Sequence, residues 1–286
     1  MPGTLRGVPN PRWPSALLIA ALAASAGAST CALAPEAAAN RAEELALHGL
    51  GFELFLGLLA FAGAALSARR TSDRLGLRAG RLPARRLALL MLGTIALSHA
   101  LDAVIDLCGL GEHGALAELE AALTGIRGRT LVLALLGIGL APGIAEELLC
   151  RGLVQRGLVP RLGAPAAVAL AALFFGALHV DPIHASFAAL LGLYLGTLCH
   201  VAGSVRAAIA CHIANNLCAV LLSAFMPQLA VPPAASIGLG GGFALAALAW
   251  VWRRSGATPP LYESRSAETD AAAQLGPTDA GRIGRL

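Results

Sequence analysis

Glu146 and Glu147 stand side by side in an apolar stretch with Arg151 four residues on; Phe175 and His179 form a second such pair, and His212 and Asn216 a third. These are the side chains of hydrolysis. In a helix Glu147 and Arg151 are i, i+4 neighbours, so the guanidinium can neutralise that carboxylate while Glu146, about 100° around the axis, faces elsewhere. A carboxylate taken out of water among apolar helices becomes a stronger base, which is what activating water at neutral pH requires. Glu146 is the candidate for that base. His179, one turn beyond Phe175, could share the water's proton or hold its position, and Phe175 would wall the site. His212 and Asn216, also one turn apart, point into one space and could form an oxyanion hole.

Each pair alone is weak evidence, since a histidine in an apolar helix is more often a satisfied core residue. All three, in this order on separate segments, are hard to explain as packing. Two other polar groups lie in apolar segments, where an ionisable side chain costs about 2.5–3.5 kcal/mol on insertion scales. His99, Asp102 and Asp106, at i, i+3 and i+7, stack on one helix face. That face reads as a polar seam or headgroup edge, or alternatively as the proton or ion path of a transporter. His48 and Glu53, close to the outer end of their segment, read as interfacial groups reaching towards water and outside any site. A catalytically silent membrane scaffold is the third functional reading.

Two histidines and a glutamate are also the ligand set of a catalytic zinc, which makes Glu146, His179 and His212 candidate metal ligands. The HExxH spacing is absent, and Asn216 beside His212 suits a hydrogen-bonding pair better than a ligand pair. The expectation is no cofactor, with zinc as the alternative.

The elements that must position these residues follow from composition. At 286 residues, 57% hydrophobic and 13% charged with a mean hydropathy of +0.70, the chain departs from the roughly 45–50% apolar and 25% charged of a soluble domain. The bilayer is its first partner. Backbone groups in hydrocarbon must bond internally, and no period-2 alternation favours a barrel, so an all-α polytopic transmembrane bundle is expected. Apolar runs near 15–35, 45–67, 87–109, 130–150, 164–180, 185–203, 207–227 and 234–252 give about eight spans.

All 21 basic residues are Arg, which with the Ala and Gly excess suggests a GC-rich bacterial genome. Arg6 and Arg12, seven Arg from Arg69 to Arg86, then Arg151, Arg156, Arg161, Arg206, Arg253 and Arg254 all fall on one side of an eight-span model. Glu36, Glu43, Glu44, Glu112, Glu118, Glu120 and Asp181 fall on the other, where Arg41, Arg127 and Arg129 are the basic exceptions. The arginine-rich side is the cytoplasm, which puts both termini inside and the protein in a bacterial inner membrane. The arginine clusters lack the interleaved aromatics of a nucleic-acid groove, so no nucleic-acid partner is expected.

Six cysteines without a CxxC pair read as small buried hydrophobes, and Cys31 as part of a retained first span. Leu116, Leu119, Leu123 and Ile126 recur at helical spacing and suit a short interfacial helix or a loop. The expected organisation is an N-terminal transmembrane region over 1–129, a core over 130–227, a C-terminal span over 228–254 and a disordered cytoplasmic tail over 255–286.

The runs Glu146-Glu147-Leu148-Leu149-Cys150-Arg151, Phe175-Gly176-Ala177-Leu178-His179 and His212-Ile213-Ala214-Asn215-Asn216 resemble the motifs of the CAAX-protease and bacteriocin-processing family, over about 130–225. Pro142 and Arg151-Gly152-Leu153 also resemble its pattern. The resemblance implies an intramembrane endopeptidase acting on a membrane-associated peptide or protein, lipidated substrates included. It implies that Glu146 and His179 activate water and that His212 and Asn216 hold the oxyanion. Members described as metal-independent glutamate proteases agree with a metal-free site. Simple spans, however, put Glu146 near the inner end of the fourth segment and His179 near the outer end of the fifth. The easiest way to bring them together is for Pro142 to interrupt the fourth segment and for its helix to run on past Arg151 towards Arg161.

Overall fold

The computed structural model describes residues 41–67, 70–226 and 231–255, and all regular structure among them is helical. The expected first span, Cys31 and the tail from 256 onward lie outside the described residues. Six helices are long and apolar enough to cross a membrane: α1 (Arg41–Ala65), α3 (Ala84–Leu107), α5 (Gly128–Ala177), α6 (Pro182–Ala202), α7 (Val205–Phe225) and α8 (Pro233–Ser255). Two shorter helices connect them, α2 (Thr71–Arg74) and α4 (Gly114–Leu123). Most expected spans recur with ends moved by a few residues; the fourth and fifth do not stay separate.

Helix α5 has 50 residues and would be about 75 Å long if straight, more than twice the roughly 30 Å of a hydrocarbon core. It is not straight. Gly163, at φ 75 and ψ 165, breaks the helical backbone in a region open almost only to glycine. The chain reverses there. The leg over 164–177 comes back beside the leg over 128–162, so that Phe175 lies under the Arg151 guanidinium, 4.4 Å from its carbon. The 128–162 leg does continue past Arg151, as joining Glu146 to His179 requires.

Pro142 does not interrupt it, however. The helix widens to π geometry over Leu135–Leu140 and again over Leu148–Gln155, leaving only the Ala141–Glu147 stretch as ordinary α-helix between them. The first wide segment absorbs the missing proline N–H, because its hydrogen bonds already run to a different carbonyl. The Glu pair therefore sits between two π segments.

Small residues let the helices close around this stretch, as is common where lipid offers no hydrophobic drive. A Cβ on Gly143 would stand 2.6 Å from the Ile213 side chain and 2.8 Å from its main-chain nitrogen. One on Gly139 would stand 2.6 Å from Leu217. One on Gly49 would meet the Gly137 carbonyl at 2.9 Å. Thus α1 and α7 both press against the backbone of α5 where the glutamates are. Helix α4 forms as a helix, and its Leu119 and Leu123 pack with Ile126 against Ala134 and Val220.

The two ends of the bundle differ in charge. At one, Arg74 donates to the carbonyls of Gly152 and Leu153, Arg156 donates to that of Asp73, and Ser204 Oγ donates to that of Arg78. At the other, Arg129 and Thr130 meet Glu43, and Arg41 meets Glu118.

Candidate active site

Glu146 and Glu147 are both buried, at 5% and 0% exposure, and each faces a different neighbour. Glu147 Oε1 accepts from Arg151 Nη1 at 2.6 Å, the i, i+4 pair that the spacing requires. Arg151 is itself fully buried, and its Nη2 donates to the Gly192 carbonyl at 3.1 Å. With Phe175 against its other face, the guanidinium joins three elements: both legs of α5, and α6.

The histidines come from the turn just after α5 and from α7, and both turn Nε2 towards Glu146. His179 Nε2 lies 3.9 Å from Glu146 Oε1 and His212 Nε2 3.7 Å from Oε2. Their other nitrogens are occupied. His179 Nδ1 lies 2.9 Å from the Phe175 carbonyl, which can only accept, so that nitrogen carries the proton. His212 Nδ1 lies 3.0 Å from Glu147 Oε1, the oxygen that already accepts from Arg151, and so donates too. Each ring is thereby fixed with its reactive nitrogen facing the same carboxylate.

Phe175, 2% exposed, sets edge-on contacts to both rings, with centroid separations of 5.1 Å to His179 and 5.7 Å to His212. It walls the site as the sequence suggested. Val180, just after His179, has φ 59, a strained setting for a β-branched residue and one that recurs beside functional sites. Asp181 then caps α6 by accepting from the His184 N–H at 2.8 Å.

Asn216 stands one turn along α7 from His212 and donates from Nδ2 to the Ile138 carbonyl at 3.3 Å, in the first π segment. Its Oδ1 accepts from Asn215 Nδ2 at 3.3 Å. Glu146, Glu147, Arg151, Phe175, His179 and His212 thus form one contiguous cluster, with Asn216 at its edge. The donor types would suit zinc, but among the described residues no three His, Cys, Asp or Glu side chains are arranged to hold a metal ion.

One reading of the sequence needs correction, and one neighbour of the site escaped it. Glu53 is not interfacial: it is 5% exposed and its carboxyl neighbours that of Glu146. Helix α1 already runs from Arg41, which puts Glu53 about 18 Å along it, on the side packed against the Glu pair. His48, by contrast, is exposed. The neighbour is His184, a residue passed over in the sequence, whose ring lies 4.2 Å from that of His179. Its only sequence signal was a position five residues past a motif histidine, at the start of the next apolar run. His99, Asp102 and Asp106 are exposed on the outside of α3, with Asp102 near Glu120 and Asp106, and have no contact with this cluster.

Fold and site together define the class: a polytopic α-helical membrane protein with carboxylates and histidines gathered inside the bundle. Residues 128–218 match the family model described as type II CAAX prenyl endopeptidase Rce1-like, which supports the likeness to the CAAX-protease and bacteriocin-processing family. The match takes in α5, α6 and most of α7, and it leaves 1–127 and 219–286 uncovered. No curated protein and no solved structure matches this chain. The family supports an intramembrane-protease kind of function.

Proposed function

We propose that the protein is an intramembrane endopeptidase in which Glu146 activates the water that attacks a peptide carbonyl. The observation that carries this reading is the convergence of two Nε2 atoms, from His179 and His212, on one buried carboxylate. A water between Glu146 and His179 loses a proton to the carboxylate as its oxygen bonds to the carbonyl carbon. Glu146 then returns that proton to the amide nitrogen as the C–N bond breaks.

The two histidines differ in what stands behind them. Behind His179 is a neutral carbonyl, and its Nε2 lone pair suits holding the water. Behind His212 is the Glu147 carboxylate. To donate to an oxyanion from Nε2, His212 must carry protons on both nitrogens, and Glu147 supplies the counter-charge for that cation. Asn216 uses one amide N–H on Ile138, and its second is the further donor. Removing one such donor costs about 2.7–4 kcal/mol of transition-state stabilisation. Water activation on this reading rests on the carboxylate, with no metal step.

The substrate is a membrane-associated peptide or protein, with prenylated C-termini the first class to try. The arginine-rich end of the bundle faces the cytoplasm of a bacterial inner membrane. The test uses the full chain purified into lipid nanodiscs with a fluorescence-quenched farnesylated peptide ending in a CAAX tetrapeptide, alongside membrane peptidomes of producing cells. Glu146→Gln and His179→Ala are expected to abolish both the fluorescence gain and any processed terminus seen with wild type. Cleavage persisting in Glu146→Gln would sink the proposal.

A further inference from the structure

We propose that the adjoining ends of α3 and α8 bind the headgroup of an anionic phospholipid, with Arg86 and Arg254 as its cations and Trp250 as the ring that gathers them. Both helices lie outside the matched residues 128–218 and outside the cluster around Glu146, so this site stands apart from the protease reading.

Arg86 belongs to the first turn of α3 and Arg254 to the last turn of α8. Their guanidinium carbons stand 5.7 and 5.3 Å from the centre of the Trp250 ring, both inside the roughly 6 Å over which a cation is drawn to an aromatic face. Arg86 Nη1 also donates to the Arg254 carbonyl at 3.2 Å, an acceptor at the end of α8 that the helix itself leaves unused. Arg86 Nε is enclosed, so the Nη edge is the one that an incoming acceptor meets. Two like charges thus share one ring, with Arg85 and Arg253 beside them in sequence. Arg85 and Arg86 moreover stand in the first turn of α3, where the helix dipole favours an anion. No carboxylate answers this charge. Among the described residues at the arginine-rich end, Asp73 is the one acidic side chain, and it is already paired with Arg78.

The class of ligand follows from what adjoins the cations. Trp250 and Trp252 are exposed at the end of α8, and exposed Phe243 lies two turns back from Trp250 on the same face. An occupant must therefore present negative oxygens to the guanidiniums and hydrocarbon to the helix beneath them. A soluble anion does only the first. A zwitterionic phospholipid brings its own cation up to the arginines. An anionic phospholipid satisfies both: its phosphate oxygens accept from Arg86 and Arg254, and its acyl chains lie along Phe243. Tryptophan at the headgroup level and arginine just beyond it are the side chains that such an interface favours.

The test is native mass spectrometry of the full chain in a non-ionic detergent, with equimolar phosphatidylglycerol and phosphatidylcholine of matched acyl chains. Wild type is expected to retain phosphatidylglycerol over phosphatidylcholine by about tenfold or more. Arg86→Gln/Arg254→Gln should lose most of that preference. Arg161→Gln/Arg206→Gln, which removes the same charge from the same end of the bundle, should keep it. Equal retention of the two lipids by wild type, or equal loss in the two double variants, overturns the proposal. If Arg86→Gln/Arg254→Gln fails to fold, Arg254→Gln alone decides, because that side chain is exposed; an unchanged preference there counts against the site. Excess inorganic phosphate should leave the phosphatidylglycerol adduct in place. Its displacement by phosphate would make this a site for a soluble anion and overturn the assignment to lipid.

Discussion

Arg151 shows how one side chain can carry both the stability and the chemistry of this site. Its guanidinium is fully buried, and it neutralises Glu147, binds the Gly192 carbonyl and covers Phe175. Removing it leaves the Glu147 carboxylate buried and unpaired, and breaking such a pair costs about 3–5 kcal/mol. Arg151→Met is therefore expected to unfold well below wild type in a detergent thermal melt. Glu147→Gln in the same chain should restore much of the loss, because the uncompensated charge is then gone. If the double variant is no more stable than Arg151→Met alone, the charge is not the cause. His212 should lose its orientation in either variant, so neither is expected to recover activity.

The helices contribute mainly by approaching closely at glycine. Gly139→Ala and Gly143→Ala both insert a methyl group where α5 meets α7, and overpacking of this kind costs about 1–3 kcal/mol. They should differ in rescue. The atoms nearest a Cβ on Gly139 belong to the end of the Leu217 side chain, whereas at Gly143 the Ile213 main-chain nitrogen is also within 2.8 Å. Leu217→Ala should therefore restore the thermal stability of Gly139→Ala, while Ile213→Ala should restore that of Gly143→Ala little. Equal rescue at both positions would show that the backbones are not in contact at Gly143. Gly163 acts through its conformation instead, since its φ of 75 lets the second leg of α5 return beside the first.

At the scale of the whole molecule, the charge difference between the two ends sets a topology that can be measured. The end holding Ser72 is rich in arginine, and the end holding His113 is rich in carboxylates. With exposed Cys108 replaced, a cysteine at Ser72 should resist an impermeant maleimide in intact cells until the membrane is opened. One at His113 should react at once. The reverse pattern would invert the bundle and place the candidate site's approach from the opposite face.

Hydropathy alone marked most of the described helices to within a few residues, because the bilayer acts on each side chain by its own polarity. The motif residues were legible for the same reason: Glu146, Glu147, Arg151, His179 and His212 are costly in hydrocarbon unless they have partners. What those partners are was decided by the tertiary structure. Glu53 looked like an end-of-helix group because depth and facing depend on where α1 begins and what packs on it. The separation expected between Glu146 and His179 vanished because Gly163 turns one long helix back on itself and π segments carry Pro142 without a break. Side-chain polarity is a property of each residue, but the meeting of Glu53, Glu146, His179 and His212 depends on contacts between helices far apart in the chain, and only their packing creates it.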